Sequence, residues 1–491
     1  MHLYSKKGIF MGNFSHTTTY KHPVETVIAW HKRTGALTRA TPPWAGFVFT
    51  DKAVKKGAQN EIDVAVPGSR GLLNRKWAAL ITDMQERVFS DIMLEGPMES
   101  WKHTHSFLEN ANHTVVRDEI EYLVSDRIKA KNQIFKKYSG LTQFAKNLSD
   151  GAERIAERNL AHYLEKVFTD RARRIHADFD FQARYADVDP QTIVIAGASG
   201  MVGKQVSALL STGGHTIRTL VRRDATGENE FAWNPDRGEI DENALIGADA
   251  IIHLGGAPIN IHFSPKNKKK ILESRTISTE LLARSIEQLQ YKGEGPKKFV
   301  VASAIGYYGA QRRGEKLSEN STPGNDFLAN VCKKWEQSTA PASNSGVHVV
   351  NIRTGIVLSP LGGMLRMELP AFLSGMGGTI GKGANIQSWI SLDDIAGIYV
   401  HAVLRNSLVG PVNAVASSPA SAKEIAHLVG KTLKRPAFWR IPSLASDALL
   451  GKEGTEQLAL ADQYVSNEKL IKSGYIFFED QLDMALKHAL G

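Results

Sequence analysis

The sequence predicts an α/β protein whose last three hundred residues form a doubly wound parallel sheet, preceded by a separate α+β unit. Three observations predict it. From Thr192 onward, short apolar runs alternate with helical patterns, as buried parallel strands and their crossover helices require. A glycine loop, "GASGMVG" at 197–203, joins the first run to the first helix. Ahead of it the rhythm differs, with several strand-like pieces followed by one long amphipathic stretch.

The elements follow in order. A strand is expected over 14–21, and Pro23 then stands where a helix can begin, with Val24, Val27, Ile28 and His31 on one face. "TPPW" closes that unit. The words "NEIDVAVPG", "RVFSDIMLEG", "MESWKHTHSFLEN" and "HTVVRDEIEYLV" read as strands. After "YSGLTQFAK" a long helix carries Phe144, Leu148, Ile155, Tyr163, Val167 and Ile175 roughly on one stripe. The polar "ARYADVDPQ" reads as a linker. Parallel strands are then expected at "TIVIAG", "TIRTLVRR", "ADAIIHLGG", "KKFVVASAIG" and "GVHVVNIRTGIVL", and a tail of short helices and turns caps the sheet. The expected divisions are a tail at 1–13, an α+β unit at 14–185, the parallel-sheet domain at 191–430 and a small cap at 431–491.

Composition excludes several classes. The 491 residues are too many for one ordinary core. No window approaches eighteen uninterrupted apolar residues, and "MHLYSKKGIFMGNFSH" lacks the apolar core of a secretory signal, with Met11 an alternative start. The single cysteine, Cys332, excludes an intrachain disulfide framework and a cysteine-built zinc site, so a reducing cytoplasm is the default compartment. The formal charge is +9, but the basic residues are dispersed among acids, which disfavours nucleic acid and favours anionic small molecules. His103 and His105 share a strand face with no third group near them in sequence. They read as a polar strand face, and no metal constellation is visible.

The glycine loop carries the cofactor expectation. Gly197 and Gly200 permit a tight turn and close approach to a pyrophosphate, while Gly203 lets the helix pack on the sheet. Ser199, Met201 and Val202 complete the cradle at the helix amino end, and Leu254, Gly255 and Gly256 follow the third strand to the same edge. The end of the second strand decides between dinucleotides, because a carboxylate there suits the NAD ribose and repels the extra phosphate of NADP. "TLVRRD" offers Arg222 and Arg223 before Asp224, which favours NADP and leaves NAD as the alternative. His253, inside its strand, reads as a packing residue.

Taken together, "GASGMVG", "HLGGAPI", "SAIGYYG", "NDFLANVCKKWE", "VNIRTGIVL", "GGTIGKGANIQSWISLDDIA" and "LKRPAFWRIP" resemble the extended and atypical short-chain dehydrogenase/reductases. More closely they resemble an NAD(P)-dependent epimerase-like family whose members often carry the label of cell-division inhibitors. That resemblance spans about 300 residues and implies a Rossmann-type domain ended by the family's small carboxyl-terminal domain. The front segment, through "HPVETVIAWHKRTGALTRATPPW" and "GPMESWKHTHSF", resembles START-like, polyketide-cyclase-like helix-grip domains. Such a domain implies an apolar cavity and a hydrophobic ligand, without naming a residue-level site.

The family resemblance also implies where chemistry belongs. Short-chain reductases place a serine near a strand end and a tyrosine and lysine four apart on the next helix, the lysine lowering the tyrosine pKa. Ser303 fits the serine, but Cys332 and Glu336 stand at the pair's spacing, and a carboxylate there would raise a neighbouring acid. Tyr307 and Tyr308 are the replacement acids, with Glu315, Glu319 and Glu336 behind them, and the adjacent Lys333 and Lys334 do not restore the pair. Arg353 and Trp389 are expected at the substrate rim, Trp389 beside a glycine-rich loop. Asp393 and Asp394 suit the start of the next helix. Two readings stay open: an NADP(H)-dependent oxidoreductase or epimerase acting on a small, hydrophobic substrate, and a non-catalytic NADP(H)-binding regulator or hydrophobic-ligand carrier.

Overall fold

Alternation of apolar and polar residues organises the front of the chain into a single antiparallel ladder. The elements are β1 (Ile9–Tyr20), α1 (Val24–Lys32), α2 (Ala36–Ala40), β2 (Gly46–Thr50), β3 (Gln59–Ala65), β4 (Asn74–Met84), β5 (Val88–Glu95), β6 (Ser100–Asn110), β7 (His113–Ser125) and the long helix α3 (Thr142–Ala183). They come from a computed structural model that describes residues 9–66, 69, 73–125 and 142–491, with the side chains of 9, 10, 125 and 142–157 outside that description. The chain divides into two units, Met1–Asp180 and Phe181–Gly491.

In the first unit the seven strands run in the order β1-β7-β6-β5-β4-β3-β2, each pairing antiparallel with its neighbour. β1 begins at Ile9, ahead of the expected 14, and Met11 pairs with Leu123. Residues 9–13 are therefore strand and not tail, because β7 is long enough to hold them. α1 buries Val24, Val27, Ile28 and His31, the face read from the sequence. On α3, Ile175 and Phe179 share a core with Trp30, Phe107 and Val116, while Leu164 and Phe168 share one with Trp101, Ile120 and Tyr122. Phe144, Leu148 and Ile155 of the expected stripe lie outside the described side chains. A buried ion pair ties α2 to α3: Arg39 Nε and a terminal guanidinium nitrogen reach Asp178 at 2.9 and 2.5 Å. A cavity of about 430 Å³ remains between strands β3–β6 and the helices, lined by Leu37, Ile62, Trp77, Ile81, Trp101 and Phe168 among others.

The second unit is built on β8 (Thr192–Ala196), α4 (Met201–Thr212), β9 (Thr216–Val221), β10 (Glu230–Asn234), β11 (Glu239–Ile240), β12 (Ala250–His253), α5 (Pro265–Tyr291), β13 (Lys298–Ala304) and α6 (Phe327–Gln337). The sheet order is β11-β10-β9-β8-β12-β13, then the strands His348–Thr354 and Gly410–Ala414; all neighbours are parallel except β10 and β11. Ile193 and Ile195 face α4 and the helix Leu392–Leu404, while Val194 and Ala196 face Leu282, Ala283 and Ile286 of α5. Burial on both faces is what the continuous apolar runs required. The chain moves outward from β8 in one direction and from β12 in the other, so a crevice opens at the carboxyl ends of these two strands.

The segment read as a linker is partly packed: Tyr185 is buried and its hydroxyl lies 2.7 Å from His401 Nδ1. The carboxyl-terminal segment is integrated as well. Asp462–Val465 pairs parallel with Gln311–Leu317, and Leu470 and Tyr475 join the core on the α4 face. Asp394 is the reason. Buried at the start of its helix, it accepts the Ser391 hydroxyl and the backbone N–H groups of Phe478 and Glu479. Among the described residues no helix is long and apolar enough to cross a membrane.

Candidate functional site

The glycine loop sits at the crevice between β8 and β12. Gly197 has φ +90°, and a Cβ there would lie 3.0 Å from the Leu254 carbonyl carbon. A Cβ on Gly203 would come 2.2 Å from the Gly197 carbonyl oxygen, so only glycine lets α4 pack this closely on the loop. α4 starts behind Gly200, which has no side chain to cap it, leaving its first-turn N–H groups to an anion. Ser199 and Gly200 are exposed, Met201 and Val202 half-buried, and Leu254 to Gly256 line the opposite lip.

The two arginines after β9 differ in state. Arg223 is bound to Glu230 through two contacts of 2.9 and 2.5 Å, which hold that carboxyl down at about 2. Arg222 is exposed, with no hydrogen bond or ion pair among the described residues, and Asp224 beside it is exposed with its carbonyl accepting a hydrogen bond from Arg223. His253 is a packing residue: its ring is fully buried, with Nε2 2.9 Å from Ser278 Oγ and Nδ1 accepting the Gly255 N–H. Burial, reinforced by the charges of Arg222 and Arg275, holds it down to about 3, so it is neutral near pH 7. Arg275 was not anticipated. It projects from α5 to within 3.1 Å of where a Gly256 Cβ would stand and lies over the Trp335 ring. Its only signal in the sequence was one basic residue within a helix rich in them.

Farther along the same sheet edge, Glu336 joins three sequence-predicted residues. Ser303 donates to its Oε1 at 2.7 Å, and Arg353 grips both oxygens at 2.8 Å. Arg353 also donates to the Tyr308 hydroxyl at 3.0 Å, and Tyr308 donates to Asn413 Oδ1 at 2.6 Å. The guanidinium lies 3.5 Å from the centre of the Tyr307 ring. The two tyrosines thus separate. Tyr308 is fully buried, and burial pushes its hydroxyl up to about 12. Tyr307 is half-buried, and its hydroxyl makes no hydrogen bond among the described residues. Cys332 is buried, and desolvation with the Glu336 carboxylate pushes its thiol up to about 12, which removes it as a nucleophile.

Other candidates lie elsewhere. Lys333 and Lys334 are exposed on the far side of α6, Glu315 is exposed and paired with Arg312, and Glu319 accepts the Asn413 N–H. Trp389 is not a rim residue: its side chain is fully buried and its indole donates to the Ser418 carbonyl. Arg353 is 2% exposed and belongs to the floor of the site for the same reason, since its charge is spent on Glu336. The glycine-rich loop before Trp389 is pinned, with Gly378–Ile380 paired to Trp439–Ile441 and Ile386–Gln387 to Ala420–Ser421.

Comparison with known proteins agrees with this architecture. The NAD dependent epimerase/dehydratase family matches residues 193–414, and a domain of unknown function, DUF1731, matches 441–489. An epimerase family protein of Mycobacterium bovis is 36% identical over 298 residues, 60% of this chain and 97% of that protein. Human epimerase family protein SDR39U1 is 32% identical over 299 residues, 60% of this chain and 98% of its own. The crystal structure of that human protein (isoform 2) with NADPH aligns with a TM-score of 0.55 at 29% identity, covering 61% of this chain and 99% of that one. A nucleoside-diphosphate sugar epimerase from Corynebacterium glutamicum covers 98% of this chain and 90% of its own, with a TM-score of 0.72 at 30% identity. The chain belongs to the NAD-dependent epimerase/dehydratase family, among the SDR39U1-like epimerase family proteins.

Proposed function

We propose that the second unit is an NADP(H)-dependent oxidoreductase or epimerase for a small substrate, with Tyr307 as the proton-transferring group. NADPH, when bound, supplies the hydride. Gly197, Gly200 and the open start of α4 would hold its pyrophosphate, and Arg222 its 2′-phosphate. The NADPH bound to the human relative supports that choice of cofactor. The observation that carries the chemistry is the separation of the two tyrosines: Tyr308 is sealed, while Tyr307 is only half-buried, with its ring over the Arg353 guanidinium and its hydroxyl unpaired among the described residues. The Arg353 guanidinium is the cation beside that phenol, in place of the lysine usual in short-chain reductases. Glu336 offsets much of the Arg353 charge, so the proton-transfer role rests on the position of the phenol.

Purified protein is expected to melt at higher temperature with NADPH than with NADH. A phosphate contact of about 1.5–3 kcal/mol corresponds to roughly a 10- to 150-fold preference. Arg222→Ala should erase it; equal stabilisation by both nucleotides would sink the NADP assignment. The observation favouring the regulator reading is that Ser303 already donates its hydroxyl to Glu336. Cofactor turnover that persists in Tyr307→Phe, or its absence across a broad carbonyl panel in the parent protein, would favour that reading.

For the first unit, the cavity of about 430 Å³ beneath α3 supports a helix-grip fold holding a hydrophobic ligand. Native mass spectrometry of gently purified protein tests it, since a retained apolar ligand is the expected result.

A further inference from the structure

Strand β6 turns His103 and His105 to the inner face of the first unit, where both are buried. The ladder brings each a carboxylate. Asp91 on β5 stands opposite His103, and Asp118 on β7 stands opposite His105. Asp118 Oδ1 lies 3.0 Å from His103 Nε2 and 2.7 Å from His105 Nδ1. The remaining ring nitrogens, His103 Nδ1 and His105 Nε2, stand 3.7 and 3.9 Å from Asp91 Oδ2. One ligand atom from each of Asp91, His103 and His105 falls within 4.8 Å of the others. Phe89 lies over the His105 ring at 4.3 Å, and Phe168 meets His103 edge-on at 5.5 Å, so packing limits both rings.

These distances discriminate between two uses of the cluster. A hydrogen bond from ring to carboxylate needs about 2.7–3.2 Å, and both Asp91 gaps exceed it. Donors around a tetrahedral ion with bonds of about 2.0–2.2 Å stand roughly 3.3–3.6 Å apart, a few tenths of an ångström less than these gaps. Asp118 occupies the place of the outer carboxylate that accepts the far N–H of metal-binding histidines and aims their lone pairs. The buried Nδ1 of His105 lies within 2.7 Å of Asp118 Oδ1 but off the line of a directed hydrogen bond.

We propose that Asp91, His103 and His105 bind a divalent transition-metal ion, with Asp118 orienting both imidazoles. Two imidazoles and one carboxylate suit Zn²⁺ or Fe²⁺ and leave coordination positions open. Asp91 and His103 line the apolar cavity, as does Arg171 from α3. The open positions therefore face a space that accepts an oxygen-donor head on an apolar body. The site does not depend on the reductase reading of the second unit.

The test uses the full chain without an affinity tag, stripped by chelator and titrated with Co²⁺ and then Zn²⁺. One Co²⁺ per chain is expected, with visible absorption of a low-coordinate nitrogen–oxygen site that Zn²⁺ abolishes. Asp91→Asn and His105→Gln should each weaken binding at least 100-fold, and Asp118→Asn about 10- to 100-fold. Circular dichroism confirms that each variant is folded. Failure of the parent chain to take up stoichiometric metal overturns the site, and that arm needs no variant. Undiminished binding by folded Asp91→Asn and His105→Gln places the ion elsewhere and overturns it equally.

Discussion

Each unit buries a charged cluster on its sheet, and the two clusters are finished to different degrees. In the second unit, Arg353 meets both oxygens of Glu336 at 2.8 Å, and Ser303, Tyr308 and Asn413 close the network around them. In the first, Asp118 contacts both histidines, but Asp91 stands 3.7 and 3.9 Å from them. Burying charge is costly unless each group is paired and hydrogen-bonded. A closed network therefore serves as scaffold, and Tyr307, the proposed proton-transferring group, packs at its edge against the Arg353 guanidinium. An open one keeps room for a guest.

The contrast can be broken experimentally. The largest effect is expected at Arg353→Met, which strands a mostly buried Glu336 carboxylate and should cost about 3–5 kcal/mol in denaturant or thermal unfolding. A loss below about 1 kcal/mol would mean that the network is not closed. Tyr308→Phe comes next at about 1–3 kcal/mol, because it leaves Asn413 and one Arg353 donor unpaired. Tyr307→Phe removes no hydrogen bond and should stay within about 0.5 kcal/mol of the parent while abolishing turnover. Smallest of all, Asp91→Asn in metal-free protein should change stability by less than about 1 kcal/mol, since Asp91 is only partly buried and its histidine contacts are long, at 3.7 and 3.9 Å. A large destabilisation there would show that the first cluster is already complete without a guest.

The parts legible beforehand share one property: they are encoded in consecutive residues. The apolar run of β8, the glycine spacing after it and the arginine pair after β9 lie within about thirty positions, and each has a local physical reason. The face of α1 was readable for the same reason, since Val24, Val27, Ile28 and His31 obey helical spacing. What went astray depended on distant partners. Trp389 looked like a rim residue because glycines precede it, but the pairing of its strand with Ile356–Leu358 carries it inside. Residues 9–13 looked like tail because only β7, a hundred residues on, makes them strand.

The sequence by itself determined the central parallel strands of the second unit, the glycine loop between β8 and α4, the basic end of β9 and the family. Those follow from side-chain period, glycine backbone geometry and charge, which act over a few residues. Only the tertiary structure decided that Glu336, at the spacing where short-chain reductases place a lysine, is matched by Arg353, and that Tyr307 is less buried than Tyr308. It alone set Asp91 opposite His103 and Asp118 opposite His105. Cross-strand register is fixed by the whole ladder, because a one-residue slip would turn every one of these side chains to the other face.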